Sequence, residues 1–218
     1  MRKFLKRMTG IFLCVAMAAG IYGAIPAYAE GTDTGTDIQA QAAQWPTGPA
    51  VQAASAIIMD ASTGTVLYEK DADTPRYPAS ITKIMTTLLA LENCNLDEMV
   101  HFSATAVYEN EGGTSHIARD LDEEMTLEQC LYGIMLESAN ECSYAVAEHV
   151  GGGDYQKFID MMNAKAAELG CTNTHFNNCN GLPDPAHVVS ARDMALISRE
   201  AIKNSMFRKI VGTVRYEV

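Results

Sequence analysis

The chain has 218 residues, 48% of them apolar and 20% charged, with 16 basic against 27 acidic side chains and a formal net charge of −11. Those proportions belong to a folded globular protein and exclude disorder, a collagen-like repeat and a multi-span membrane protein. The acidic excess argues against nucleic acid and anionic membrane surfaces as partners, because both demand basic patches.

At the N-terminus, Arg2, Lys3, Lys6 and Arg7 precede an apolar run from Ile11 to Ile25 that ends in Ala27-Tyr28-Ala29. This is the pattern of a secretory signal peptide, so residues 1–29 are expected to be removed on export. The run is short for a membrane span and is broken by Gly20, Gly23 and Pro26, which argues against an uncleaved anchor. Cys14 lacks the small preceding residues of a lipoprotein box. Losing those four cations from the 16 leaves 12 basic residues against 27 acidic ones. The cysteines that remain are Cys94, Cys130, Cys142, Cys171 and Cys179, an odd set without C-x-x-C, which is no disulfide framework. Residues 30–52 are Gly, Thr, Asp, Gln and Ala with no apolar period and read as a disordered tether. The folded domain is expected over 53–218.

Ser55–Asp60 and Thr65–Glu69 are β-prone runs around the turn signal Ala61-Ser-Thr-Gly64, which predicts a hairpin. Next, Ile81, Ile84, Met85, Leu88 and Leu89 follow helical spacing with little polar surface between them, predicting a central buried helix to Glu92 with Ser80 in its first turn. The acidic run Asp120–Glu124 reads as a solvated face entering a helix. Further helices are predicted over Thr126–Glu137, Glu141–His149, Asp154–Leu169 with Gly170 as its cap, and Ser190–Asn204.

Lys83 is the oddity of the central helix. A lysine is seldom buried, and burial lowers its pKa, which turns an amine into a proton acceptor near neutrality. Ser80 lies three residues earlier on the same face, where a neutral amine can take its hydroxyl proton, and backbone N–H groups of a first helical turn can stabilise an oxyanion beside it. S-x-x-K alone arises by chance in a chain this long; here it falls in the one helix where a lysine is costly. Downstream, Leu136-Glu-Ser138-Ala-Asn140-Glu141 can place a proton-relaying hydroxyl and an amide that holds a substrate amide into a cleft. Ser and Asn also routinely stop one helix and cap the next.

S-x-x-K followed 58 residues later by S-x-N is a pairing known from penicillin-binding proteins and class A β-lactamases. With Ala54–Lys70, Arg76–Thr86, Phe176–Asp184 and Ser190–Glu200, the sequence resembles the low-molecular-weight D-alanyl-D-alanine carboxypeptidases from about residue 53 onward. The resemblance implies an α+β fold of the β-lactamase/transpeptidase type, a helical subdomain with an antiparallel sheet. It implies a serine peptidase of the bacterial envelope, acting on its extracytoplasmic face in wall biogenesis and cell shape. Its partners would be peptidoglycan stem peptides and β-lactams. Ser80 would be the acylated nucleophile and Lys83 its base, directly or through Ser138, while Asn140 would hold the substrate amide. A β-lactamase would be expected to carry a deacylating glutamate about 35 residues beyond Ser138, where this chain reads Cys171-Thr-Asn-Thr-His-Phe.

The family's third motif, Lys-Thr-Gly or Lys-Ser-Gly, does not occur among the 218 residues. The later sheet strands that carry it are therefore expected beyond Val218, as is any membrane-associating segment other than an uncleaved leader. A peptidoglycan- or penicillin-binding module without turnover is the alternative this leaves. No cofactor is called for, and no metal site is expected: Cys171, His175, Cys179 and His187 fit no common zinc spacing.

Overall fold

The computed structural model describes residues 48–109 and 113–217. The expected leader and the tether as far as residue 47 lie outside the described residues. The first β-prone runs pair as expected: β1 (Ala56–Met59) and β2 (Val66–Lys70) form an antiparallel hairpin with Ala56 opposite Lys70 and Ile57 opposite Glu69. Asp60 builds the turn, its Oδ1 accepting from the backbone N–H groups and hydroxyls of Ser62 and Thr63. The end of the expected tether lies against this hairpin, where Lys70 Nζ donates to the carbonyls of Val51 at 3.1 Å and Ala53 at 2.8 Å.

A 3-10 turn, Ala79–Thr82, leads into α1 (Lys83–Asn93). Ser80 therefore sits in a tight turn ahead of the helix, a correction to the expectation that it lies in the helix's own first turn. The apolar character of α1 follows from its position between α3 (Leu127–Leu136), α4 (Asn140–Gly151), α5 (Tyr155–Glu168), α6 (Ala191–Ala201) and α7 (Ser205–Val211). Met85, Leu88 and Leu89 face one apolar cluster with Phe158, Met162 and Ile197, while Ala90 faces a second with Phe102, Leu131 and Ile134. Helix α4 divides in the same way, Ala147 to the first cluster and Cys142, Ala145 and Val146 to the second. A helix wrapped on all sides has no polar stripe to show.

The local signals that placed the helices are visible in their ends. Thr126 and Gln129 form a reciprocal capping box at α3, Asp154 caps α5, and Gly170 leaves α5 at φ +80. Helix α6, capped by Ser190, stops at Ala201 and not at Asn204, because Asn204 accepts from the backbone N–H groups of Met206 and Phe207 and so begins α7. The acidic run does not enter a helix directly: it turns into β4 (Glu124–Thr126), paired antiparallel with β3 (Met99–His101). A short helix, α2 (Ala104–Tyr108), lies between them in sequence.

The segment 171–190 between α5 and α6 has only two isolated bridges, Arg76 with Val189 and His175 with Val188, yet it is tightly held. Asn163 of α5 exchanges two hydrogen bonds with the Phe176 backbone, at 2.8 and 2.9 Å, and Thr86 of α1 donates to the Cys179 carbonyl at 2.6 Å. It forms a wall beside the N-terminal end of α1. Among the described residues, no helix is long and apolar enough to cross a membrane.

Candidate active site

All four residues singled out from the sequence meet at this end of α1. Lys83, the first residue of the helix, is 2% exposed. Its Nζ lies 3.3 Å from Ser80 Oγ, 3.2 Å from Ser138 Oγ, 2.7 Å from Asn140 Oδ1 and 2.9 Å from the Asn180 carbonyl oxygen. Ser80 is exposed, Ser138 half-buried and Asn140 buried, so a solvent-reachable hydroxyl rests on a buried amine.

The backbone on either side of the amine is bent into the left-handed region. Ala79, just before Ser80, has φ +51, and Ser138 has φ +58; for residues with a Cβ this costs of the order of 1 kcal/mol each. Packing holds both. Gly181, at φ +88, lies flat against the Ala79 peptide, so close that a Cβ there would fall 1.9 Å from the Ala79 carbonyl oxygen. On the other side, Ala139 N–H donates to the Gly133 carbonyl and Asn140 N–H to the Ser115 carbonyl. A polar cleft of about 250 Å³ results, lined by Ser80, Thr114, Ser115, Asn140, Asn180 and Gly181. A larger cleft beside Tyr132, Gly133 and Tyr216 holds no such hydroxyl–amine pair.

Burial lowers the Lys83 ammonium from its ordinary 10.5 to about 8, against the opposing pull of nearby negative charge. That charge is the carboxylate of Glu141, which is 3% exposed and accepts from the Ile117 N–H at 2.5 Å. Cys179, also beside the amine, is pushed up to about 12 by its own burial and stays a neutral thiol at neutral pH.

The sequence reading missed the second wall. Asn180 gives a carbonyl to Lys83, Gly181 supports the turn that carries Ser80, and His187 braces it. His187 is 1% exposed; its Nδ1 accepts from the backbone N–H groups of Asn177 at 2.9 Å and Asn178 at 3.2 Å, so its Nε2 carries the proton and donates to Thr82 Oγ1 at 2.8 Å. One signal was available: Asn178-Cys-Asn-Gly181 is dense in residues that turn a backbone inward. The quartet Cys171, His175, Cys179 and His187 does not gather: His187 spends both ring nitrogens as above, and Cys171 Sγ faces the Asp193 carbonyl at 3.7 Å.

A family model described as D-alanyl-D-alanine carboxypeptidase, peptidase family S11, matches residues 39–218. The chain belongs to the D-alanyl-D-alanine carboxypeptidase family. Among carboxypeptidase relatives, it is 39% identical over 164 residues to D-alanyl-D-alanine carboxypeptidase DacF of Bacillus subtilis, covering 74% of this chain and 42% of the relative. It is 36% identical over 210 residues to the D-alanyl-D-alanine carboxypeptidase of Streptomyces sp. K15, covering 92% of this chain and 66% of the relative. The fold is that of the DD-peptidases. It superposes on the crystal structure of the Streptomyces K15 DD-transpeptidase with a TM-score of 0.72 at 36% identity, covering 77% of this chain and 67% of that one. The carboxypeptidase DacD of Francisella tularensis gives 0.71 at 34% identity, with coverage of 77% and 41%. The chain thus spans between two fifths and two thirds of the carboxypeptidases it matches, and the α+β class expected from the sequence is the one found.

Proposed function

We propose that the protein is an exported serine D-alanyl-D-alanine carboxypeptidase that removes the terminal D-Ala of peptidoglycan stem peptides through an acyl-enzyme on Ser80. The observation that carries this reading is the set of partners around Lys83 Nζ. Carbonyl oxygens only accept, so a neutral Lys83 gives its two N–H bonds to Asn140 Oδ1 and the Asn180 carbonyl, at 2.7 and 2.9 Å. Its lone pair is left facing the hydroxyls of Ser80 and Ser138.

From there the chemistry follows. Lys83 accepts the Ser80 proton, directly or relayed by Ser138, as Ser80 Oγ bonds to the penultimate D-Ala carbonyl carbon. The proton then passes to the departing amine as the peptide C–N bond breaks, and water hydrolyses the ester through the same base. Asn140, its Oδ1 engaged by Lys83, keeps its amide NH2 to donate to a substrate carbonyl. A β-lactam acylates the same oxygen, but its leaving nitrogen stays tethered to the adduct, so a long-lived ester is expected.

Residues 1–29 are read as the export leader, 30–52 as the tether and 53–218 as catalytic-domain sequence, placing the enzyme on the extracytoplasmic face of the envelope. The leader pattern and the wall substrate of the family support this. N-terminal sequencing of the exported protein should begin at Glu30.

The test is fluorescent penicillin labelling of the full-length protein beside Ser80→Ala. One stable adduct is expected on the wild type, with labelling reduced at least about a thousandfold in the variant. Equal labelling of both, or none of either, refutes the serine assignment; rapid release of hydrolysed penicillin would instead indicate a β-lactamase.

A further inference from the structure

At the far end of α1 from Lys83, about 16 Å along the helix at 1.5 Å per residue, three side chains of different chemistry converge. Cys94 is the residue that ends α1, Glu98 lies in the connection to β3, and His149 stands in the last turn of α4. All three are half-buried, and Cys94 Sγ, a Glu98 carboxylate oxygen and a His149 ring nitrogen lie within 4.8 Å of one another. Among the described residues, no other group of three His, Cys, Asp or Glu side chains comes together in this way.

The carboxylate is oriented before anything binds. Glu98 Oε1 accepts from the Asn95 backbone N–H at 2.6 Å and from its Nδ2 at 3.0 Å, which turns Oε2 toward His149 Nε2, 2.8 Å away. The Glu98 backbone is fixed as well, its N–H donating to the Asn95 carbonyl and its carbonyl accepting from Leu127. Supporting bonds of this kind are what hold a metal-ligating carboxylate in place. His149 also lines an open cleft with Met99, His101, Glu148 and Gly152, so the imidazole side of the cluster borders solvent-accessible space.

We infer that Cys94, Glu98 and His149 form a binding site for a divalent transition metal of the zinc type, clipping the end of α1 to the end of α4. One sulfur, one imidazole nitrogen and one carboxylate oxygen suit zinc and not calcium or magnesium, and three protein ligands leave a fourth tetrahedral position for water. Ligand atoms around tetrahedral zinc lie about 3.3 to 3.8 Å apart, so the His149–Glu98 pair, 2.8 Å apart, opens by about 0.5 Å, and a pair at the 4.8 Å limit closes by about 1 Å. The protons balance as follows: the Cys94 thiol releases its proton to solvent as sulfur bonds to the ion. His149 offers its Nε2 lone pair, and the proton now shared with Glu98 moves to Nδ1 or to solvent. Helices α1 and α4 carry Lys83 and Asn140 at their opposite ends, so the clip would brace the frame of the site without touching the reacting groups.

The test uses the full-length protein, stripped with a chelator and titrated with Co²⁺. A thiolate-to-cobalt charge-transfer band in the near ultraviolet is expected, saturating at one ion per chain and displaced by Zn²⁺. Cys94→Ser should abolish the band, and His149→Ala should weaken Zn²⁺ binding at least tenfold by calorimetry. Cys171→Ser, a change at another half-buried thiol, should leave both intact. Circular dichroism and a thermal melt establish that each variant is folded. Absence of the band in the wild type, or its persistence in Cys94→Ser, overturns the inference and leaves the cluster as a hydrogen-bonded brace.

Discussion

Lys83 is an ammonium below pH 8 while buried at 2% exposure, and its stability and reactivity therefore pull in opposite directions. Its folded pKa of about 8 lies below the unfolded 10.5. Below pH 8 both states are protonated and the burial penalty is fully present; between 8 and 10.5 the unfolded chain holds more protons, so stability rises with pH by up to about 3 kcal/mol. In its proposed role as base it must be neutral. The rate of acylation by penicillin should climb about tenfold per pH unit up to about 8 and then level off, and Lys83→Met should lose about a thousandfold and the dependence itself. Stopped-flow labelling across pH 6 to 10 checks both.

His187 makes the complementary case, because burial pushes its imidazole down to about 4 from 6.5. The unfolded state takes up the proton first, so this residue's contribution is complete above pH 6.5 and is lost as pH falls toward 4, by up to about 3 kcal/mol. His187→Asn, which keeps an acceptor for the Asn177 and Asn178 N–H groups, should flatten that acid limb in urea titrations. Lys83 was legible in the sequence because a charged residue in an apolar helix contradicts its surroundings. His187 was not, because its partners are a threonine and two backbone amides, which leave no mark on residue identity.

Elements with strong ends were legible and short ones were not. Capping residues, apolar spacing and Gly170 placed α3, α5 and the start of α6, whereas β3 and β4 are three residues each and α2 only five, too short for any period to register. The 3-10 turn that presents Ser80 depends on Gly181, about 100 positions downstream. Gly181→Ala should therefore cost at least about 2 kcal/mol in urea unfolding, since it adds both a strained φ and a clash with the Ala79 carbonyl. It should also slow penicillin labelling at temperatures where the variant is still folded. Labelling at the wild-type rate would show that the turn holds its shape without Gly181.

For the whole molecule, the cysteines make a useful probe. All five in the described residues are free, with Cys130, Cys142 and Cys179 buried and Cys94 and Cys171 half-buried. A hydrogen bond with Cys130 and burial raise Cys142; burial pushes Cys171 up to about 12 and also raises Cys94. Thiols held this way react poorly. Iodoacetamide should modify the native protein slowly, and in a urea series alkylation of the three buried cysteines should coincide with loss of circular dichroism. Early modification of Cys130 or Cys142 would reveal a subglobal opening of the second apolar cluster.

The amine of Lys83 touches residues 3, 55, 57 and 97 positions away in the chain. No local piece of the polypeptide can assemble that contact set, because the two longest loops must both be closed before the amine has its acceptors. A β-lactam added during refolding would thus act as a stopwatch. On the proposed chemistry it would leave a covalent stamp on each molecule only when the last of those distant segments had arrived, and would count completed molecules against a background of chains that are compact but unfinished.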